Sequence, residues 1–196
     1  MPKPFLEELN NPYIHKNAWP FISTLLGTML SLGFTLLLLI HGLIVDRLLS
    51  DDMNLWWRYG VLETLSLASL VTTVWVCRTQ RHFEIDTDGG ALGARLGIVI
   101  ILLFFYCLMV SRGLSLWHAD QQLASEFPHI FAAAFQFLIS TISFAEPFQL
   151  ADVDLGKYKG GDVGNILLAH RWALLITLAY GVHRLMVAIH KKVINL

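Results

Sequence analysis

The chain has 196 residues, of which 55% are hydrophobic and only 15% are charged, and its formal net charge is −1. This balance excludes nucleic acid as a partner, because binding to phosphates requires clustered Lys and Arg. The apolar residues form long runs, and one helical crossing of a bilayer needs ~20 consecutive apolar residues. We therefore predict an all-α integral membrane protein in contact with the lipid bilayer.

Four apolar runs are long enough to cross the membrane, at about residues 19–45, 56–77, 96–117 and 166–190. Within the first run, Ser23, Gly27 and Ser31 recur at four-residue spacing, which places three small residues on one helix face. Gly93 and Gly97 repeat this spacing at the start of the third run. Small residues allow two helices to approach closely, so both patterns predict tight helix packing, with a helix of the same chain or of another copy as the partner.

A fifth apolar segment, residues 128–144, reads PHIFAAAFQFLISTISF and contains Gln136. Its apolar core is shorter than a typical span. With four crossings, the basic residues of the N-terminal tail, the second loop and the C-terminal end all lie on one side, as the positive-inside rule favours. We therefore predict that this segment forms a short re-entrant or interfacial helix. We also predict that both termini lie in the cytoplasm and that the chain lies in the cell membrane, which in bacteria is the inner membrane.

Several ionisable residues fall in the outer half of the predicted spans. Such residues are costly in a membrane and are therefore candidates for function. Glu63 in the second span and Arg112 in the third lie at similar depth. A structural ion pair between them would satisfy both charges.

The order of helices from residue 97 to residue 190 resembles that of pore-loop cation channels. Residues 97–117, 128–143, 144–149 and 166–190 match an outer helix, a short re-entrant helix, a polar turn and an inner helix. The resemblance implies an ion-conducting homo-oligomer, with four copies around one pore and the polar turn at its constriction. It also implies the constriction residues, which are Thr141, Ser143, Glu146 and Gln149. The potassium-channel sequence TVGYG is absent, so the resemblance does not extend to potassium selectivity.

Two other interpretations remain open. In the first, the chain is a membrane subunit of an oxidoreductase that binds haem b or quinone, with His41 and His170 as candidate haem ligands at similar depth. In the second, it is a non-catalytic sensor, immunity protein or scaffold that binds a soluble protein partner. No GxSxG, HExxH or P-loop motif occurs. We therefore expect no enzymatic activity of the chain alone and no metal site, and the pore interpretation requires no cofactor.

Overall fold

The computed structural model describes residues 12–39, 54–79, 89–117, 127–143 and 161–194. These ranges are helical throughout, apart from single flanking residues, and contain no strand. In chain order the helices are α1 (Pro12–Leu39), α2 (Leu55–Thr79), α3 (Gly89–Trp117), α4 (Phe127–Ile142) and α5 (Gly161–Ile194).

Four of these helices are long and apolar enough to cross a membrane, with candidate spans Trp19–Leu36, Trp56–Thr79, Gly90–Gly113 and Asn165–Val187. The remaining helix, α4, has 16 residues. At a rise of ~1.5 Å per residue it is shorter than a hydrocarbon core of ~30 Å. The described part of the chain is therefore that of an all-α membrane protein, with four helices long enough to cross a membrane and one short helix, which confirms the predicted fold class.

Helix α3 lies at the centre and contacts each of the other four helices. Every residue from Phe105 to Gly113 is buried, as expected for a helix that is apolar on all sides and enclosed by others. The other helices expose large apolar side chains, for example Leu30 on α1, Val71 on α2 and Ile176 on α5. Lipid chains are as apolar as these side chains, so the exposed faces are compatible with contact to lipid.

Glycines of α3 allow α1 to approach closely. A Cβ atom at Gly93 would lie 2.2 Å from the Phe21 carbonyl oxygen, and one at Gly97 would lie 3.1 Å from the Thr28 Cβ. The Thr24 hydroxyl lies 2.8 Å from the Gly90 carbonyl across the same contact. These glycines also explain why α3 begins at Gly89, before the expected start at residue 96, since close packing compensates for their low helix propensity.

The small residues of α1 do not take part in this contact. Ser23 and Ser31 are exposed, and nothing lies within 4 Å of a Cβ atom placed at Gly27. The predicted small-residue face of α1 therefore points away from the rest of the described chain. The contact with α3 uses the neighbouring face, which carries Thr24 and Thr28.

The helix directions follow from the cross-helix contacts. Helices α2 and α3 are antiparallel, because a Cβ atom placed at Gly113 would lie 3.5 Å from the Tyr59 ring while Ser69 donates to the Leu102 carbonyl. Helices α2 and α5 are parallel, because Glu63 pairs with His170 while Arg184 lies 3.4 Å from the Cys77 carbonyl. Consequently α3 ends, and α5 begins, at the same end of the bundle, which we call the top. The segment that contains α4 thus connects two helices that meet the top with their adjoining ends.

Two arginines of α5 each bind the C-terminal turn of a neighbouring helix. Arg171 donates to the Ser140 carbonyl of α4 at 2.7 Å. Arg184 reaches the carbonyls of Cys77 and Arg78 at the end of α2, at 3.4 and 3.5 Å. The last carbonyls of a helix have no partner within it, and a cation there also interacts favourably with the helix dipole. These contacts hold α4 and α2 against α5.

Candidate functional site

A chain of three hydrogen-bonding side chains connects α2, α5 and α3 inside the membrane region. Glu63 Oε2 lies 3.2 Å from His170 Nε2, and the Tyr106 hydroxyl lies 2.8 Å from His170 Nδ1. The Tyr106 hydroxyl also lies 3.0 Å from the His170 carbonyl oxygen. Tyr106 is fully buried, whereas the side chains of His170 and Glu63 are 8% and 31% exposed. We call these residues the Glu63–His170–Tyr106 chain.

The start of α2 fixes the depth of Glu63. The Asn54 side chain accepts a hydrogen bond from the Trp56 backbone N–H at 3.0 Å, which caps the helix. Glu63 lies about 10 Å further along α2 than Trp56, at ~1.5 Å per residue. It therefore lies in the upper half of a hydrocarbon core of ~30 Å.

Small hydroxyl side chains line the α2–α3 interface below Glu63. Ser66, Ser69 and Thr73 are all buried on α2. Ser69 donates to the Leu102 carbonyl of α3 at 2.6 Å, while Ser66 and Thr73 donate to carbonyls of their own helix. The hydroxyl groups thus form hydrogen bonds with backbone carbonyls, which lets α2 pack closely against α3 just below Glu63.

The Tyr106 hydroxyl has an acceptor in either protonation state of His170. When the imidazole is neutral with its proton on Nε2, Nδ1 accepts from the Tyr106 hydroxyl and Nε2–H donates to Glu63. When the imidazole is protonated, Nδ1–H donates to the Tyr106 oxygen and the hydroxyl donates to the His170 carbonyl. Neither arrangement leaves a buried ring nitrogen without a partner, so both hydrogen-bonding arrangements are compatible with the same helix positions.

The partner of Glu63 differs from the residue that the sequence suggests. The sequence favours Arg112, whereas the structure places His170 beside the Glu63 carboxylate. Arg112 is buried on α3, about 9 Å further along the helix than Tyr106 by its rise. Equal depth on adjacent helices did not reveal which faces meet, because a helix can be rotated about its axis without a change in depth.

The predicted constriction residues lie at the end of α4 and beyond it. Thr141 is buried and donates to the Phe137 carbonyl at 2.6 Å, whereas Ser143 is exposed and donates to the Ile139 carbonyl at 2.7 Å. Glu146 and Gln149 fall outside the described residues. The end of α4 lies near the Glu63–His170–Tyr106 chain, because Ser140 accepts a hydrogen bond from Arg171, next to His170.

The candidate haem ligands are not brought together within the described residues, since His41 falls outside them. Both ring nitrogens of His170 are already engaged, Nε2 with Glu63 and Nδ1 with Tyr106. Ligation of a metal by His170 would require one of these contacts to break. Among the described residues, no group of three or more His, Cys, Asp or Glu side chains could hold a metal ion.

Tyr106 was not predicted as a site residue. Tyrosines of membrane proteins are enriched at the two interfaces, where the hydroxyl meets water. Tyr106 instead lies well inside the span Gly90–Gly113. That unusual position is the signal in the sequence that could have identified it, since a buried tyrosine hydroxyl needs a hydrogen-bond partner.

Comparison with models of protein families, with curated proteins and with solved structures gave no significant match. The class of the protein therefore follows from its own fold and site. It is a helical membrane protein whose bundle contains a carboxylate, an imidazole and a phenol, joined in that order by hydrogen-bonding contacts.

Proposed function

We propose that this protein conducts ions across the membrane and that the conducted ion is the proton. The observation that carries the proposal is the Glu63–His170–Tyr106 chain, with contacts of 3.2 and 2.8 Å between groups on three helices. Ionisable residues within a membrane are costly, and chains of Asp, Glu and His are the usual proton relays of pumps and transporters. A purely structural contact between these helices would not require a ring whose two nitrogens can exchange donor and acceptor roles.

His170 passes a proton by exchanging the roles of its two ring nitrogens. Nδ1 gains a proton from the side of Tyr106, and Nε2 releases its proton to the Glu63 carboxylate. Glu63, the most exposed member of the chain, then releases that proton to water. The imidazole keeps its remaining proton and returns to its starting arrangement by a half-turn about its Cβ–Cγ bond, which does not move a proton back. One proton enters, one leaves, and the net charge of the site is unchanged.

The end of α4 forms the outer entrance to this path in our proposal. Thr141 and Ser143, followed by Glu146 and Gln149, would line the entrance in the manner of a pore loop, with Glu146 concentrating cations there. This part of the proposal rests on the pore-loop resemblance, which also implies an assembly of four copies. The Glu63–His170–Tyr106 chain lies within a single copy and functions in our proposal whatever the number of subunits.

Proton flux into liposomes tests the proposal. The purified protein is reconstituted with a pH-sensitive dye inside the vesicles, and a potassium diffusion potential drives the flux. We expect His170→Gln to lower the proton flux at least tenfold, because glutamine keeps hydrogen-bonding capacity but cannot carry an extra proton at neutral pH. Glu146→Gln should lower the flux less, because it removes only a charge at the entrance.

His183→Gln is the matched control, because His183 is an exposed histidine on the same helix. Its flux should equal that of the unmodified protein. Equal flux for His170→Gln and His183→Gln would remove His170 from the path. If the unmodified protein moves neither protons nor other cations faster than protein-free liposomes, ion conduction itself is wrong.

Cysteine labelling tests the orientation in the cell membrane. A single cysteine at Gln149 or at Asn195, in a background with Cys77 and Cys107 replaced by alanine, is treated on intact cells with a membrane-impermeant thiol reagent. We expect labelling at position 149 and none at 195, because the basic clusters favour cytoplasmic termini. Lysed cells should label at both positions. Labelling of intact cells at 195 alone would reverse the proposed orientation.

A further inference from the structure

Gln136 is the most unusual buried side chain of α4. It is fully buried, and neither its amide nitrogen Nε2 nor its oxygen Oε1 has a hydrogen-bond partner among the described residues. An unsatisfied buried polar group is costly, and more so where hydrocarbon replaces water. Most buried side-chain polar atoms of native proteins are satisfied by protein groups or by ordered water.

The surroundings of Gln136 offer further hydrogen-bonding capacity. Ser140 lies one turn further along α4, on the same helix face, and is also buried. Its hydroxyl donates to the Phe137 carbonyl at 3.1 Å, which leaves the hydroxyl oxygen able to accept. Gln136 and Ser140 together present one amide donor group, one amide acceptor and one hydroxyl acceptor on a buried face.

This face adjoins the Glu63–His170–Tyr106 chain at two points. The ring of Phe137, the residue after Gln136, lies 6.4 Å from the ring of Tyr106. The Ser140 carbonyl accepts from Arg171, the neighbour of His170. Gln136 therefore lies within about one helical turn of both contacts between α4 and the surroundings of the proposed proton path.

We propose that Gln136 and Ser140 form a binding site for internal water. The amide requires a molecule that both accepts from Nε2 and donates to Oε1, and water does both in a small volume. Water at this site would also donate to the Ser140 hydroxyl oxygen, which brings its number of polar partners into the usual range. The further role of this water, as an extension of the proton path towards α4, rests on the proposed function.

The sign of a stability change tests the water site. Gln136→Met replaces the amide by an apolar side chain of similar length. Removal of an unsatisfied amide would stabilise the protein, whereas removal of one that binds water should destabilise it. We expect the thermal midpoint in detergent to fall by roughly 3 °C or more. Ile139→Met, at an exposed position of the same helix, should leave the midpoint nearly unchanged.

A second measurement on the unmodified protein does not depend on how a variant folds. In ¹⁵N-labelled protein, the side-chain NH₂ of Gln136 should show cross-relaxation with water protons. An unchanged or raised midpoint of Gln136→Met, or the lack of these cross-peaks, would overturn the water site. In the liposome assay, Gln136→Met should lower the proton flux at least threefold. Unchanged flux with the other results as expected would leave the water site in place and remove only its role in the path.

Discussion

Replacement of Gly93 by alanine is expected to destabilise the protein by separating α1 from α3. The added Cβ would lie 2.2 Å from the Phe21 carbonyl oxygen and 2.6 Å from the Thr24 hydroxyl oxygen. The first of these atoms belongs to the backbone, so a rotamer change cannot relieve the clash. The whole of α1 must move, which weakens the contact at Gly97 and the hydrogen bond from Thr24 to the Gly90 carbonyl. Overpacking of this kind costs about 1–3 kcal/mol.

Gly27→Ala is the matched control, because nothing lies within 4 Å of a Cβ at that position. Both variants gain about 1 kcal/mol from the higher helix propensity of alanine, so this gain cancels in the comparison. The free energy of unfolding, measured by denaturant titration in mixed micelles, should be about 2 kcal/mol lower for Gly93→Ala than for Gly27→Ala. Equal stability of the two variants would mean that α1 does not pack on α3 as described. A larger loss for Gly27→Ala would place the Ser23–Gly27–Ser31 face in a helix contact instead.

A double-mutant cycle on Glu63 and His170 is expected to show strong coupling. The two side chains are 3.2 Å apart, so either single change to glutamine removes their charge-assisted hydrogen bond. The second substitution then lowers the free energy of unfolding only a little further. The loss for the double variant should be smaller than the sum of the single losses by about 1 kcal/mol or more, as is typical for contacting residues. The measured quantity is again the free energy of unfolding in mixed micelles.

The parallel cycle on Glu63 and Arg112 distinguishes the two candidate pairs. Arg112 lies further towards the top of α3 than Tyr106, the residue that contacts His170. Glu63 pairs with His170, so the effects of Glu63→Gln and Arg112→Gln on the free energy of unfolding should be more nearly additive than those of the changes at Glu63 and His170. Strong coupling in this cycle, with additivity between Glu63 and His170, would restore the pair that the sequence favours. It would also remove the geometric basis of the proposed proton path.

The class of the fold could be predicted from the sequence because a bilayer imposes a length on every crossing segment. Four apolar runs met that length, and the structure has a long helix in each of them. The segment around Gln136 fell short of it, and α4 has 16 residues. The distribution of Lys and Arg predicts that the segment between the third and fourth spans begins and ends on the same side of the membrane. The antiparallel directions of α3 and α5 provide an independent argument for this prediction.

The partners of the polar side chains could not be predicted, because these helices are apolar on nearly all sides. A hydropathy pattern then gives the depth of a residue but not the rotation of its helix about the axis. For this reason the sequence does not reveal that Glu63 lies beside His170 or that Tyr106 joins them. For the same reason it does not reveal that the face of α1 with Thr24 and Thr28 is the one that meets α3.

The amino-acid sequence alone predicts a helical membrane protein with four spans and one short helix, since the thickness of the bilayer and the cost of buried charge act on each segment separately. The tertiary structure alone decided which helix faces meet. That choice depends on close approach at Gly93 and Gly97 and on the capping of α2 and α4 by arginines of α5. It brings a carboxylate, an imidazole and a phenol from three helices within hydrogen-bonding distance, and no single segment carries that information.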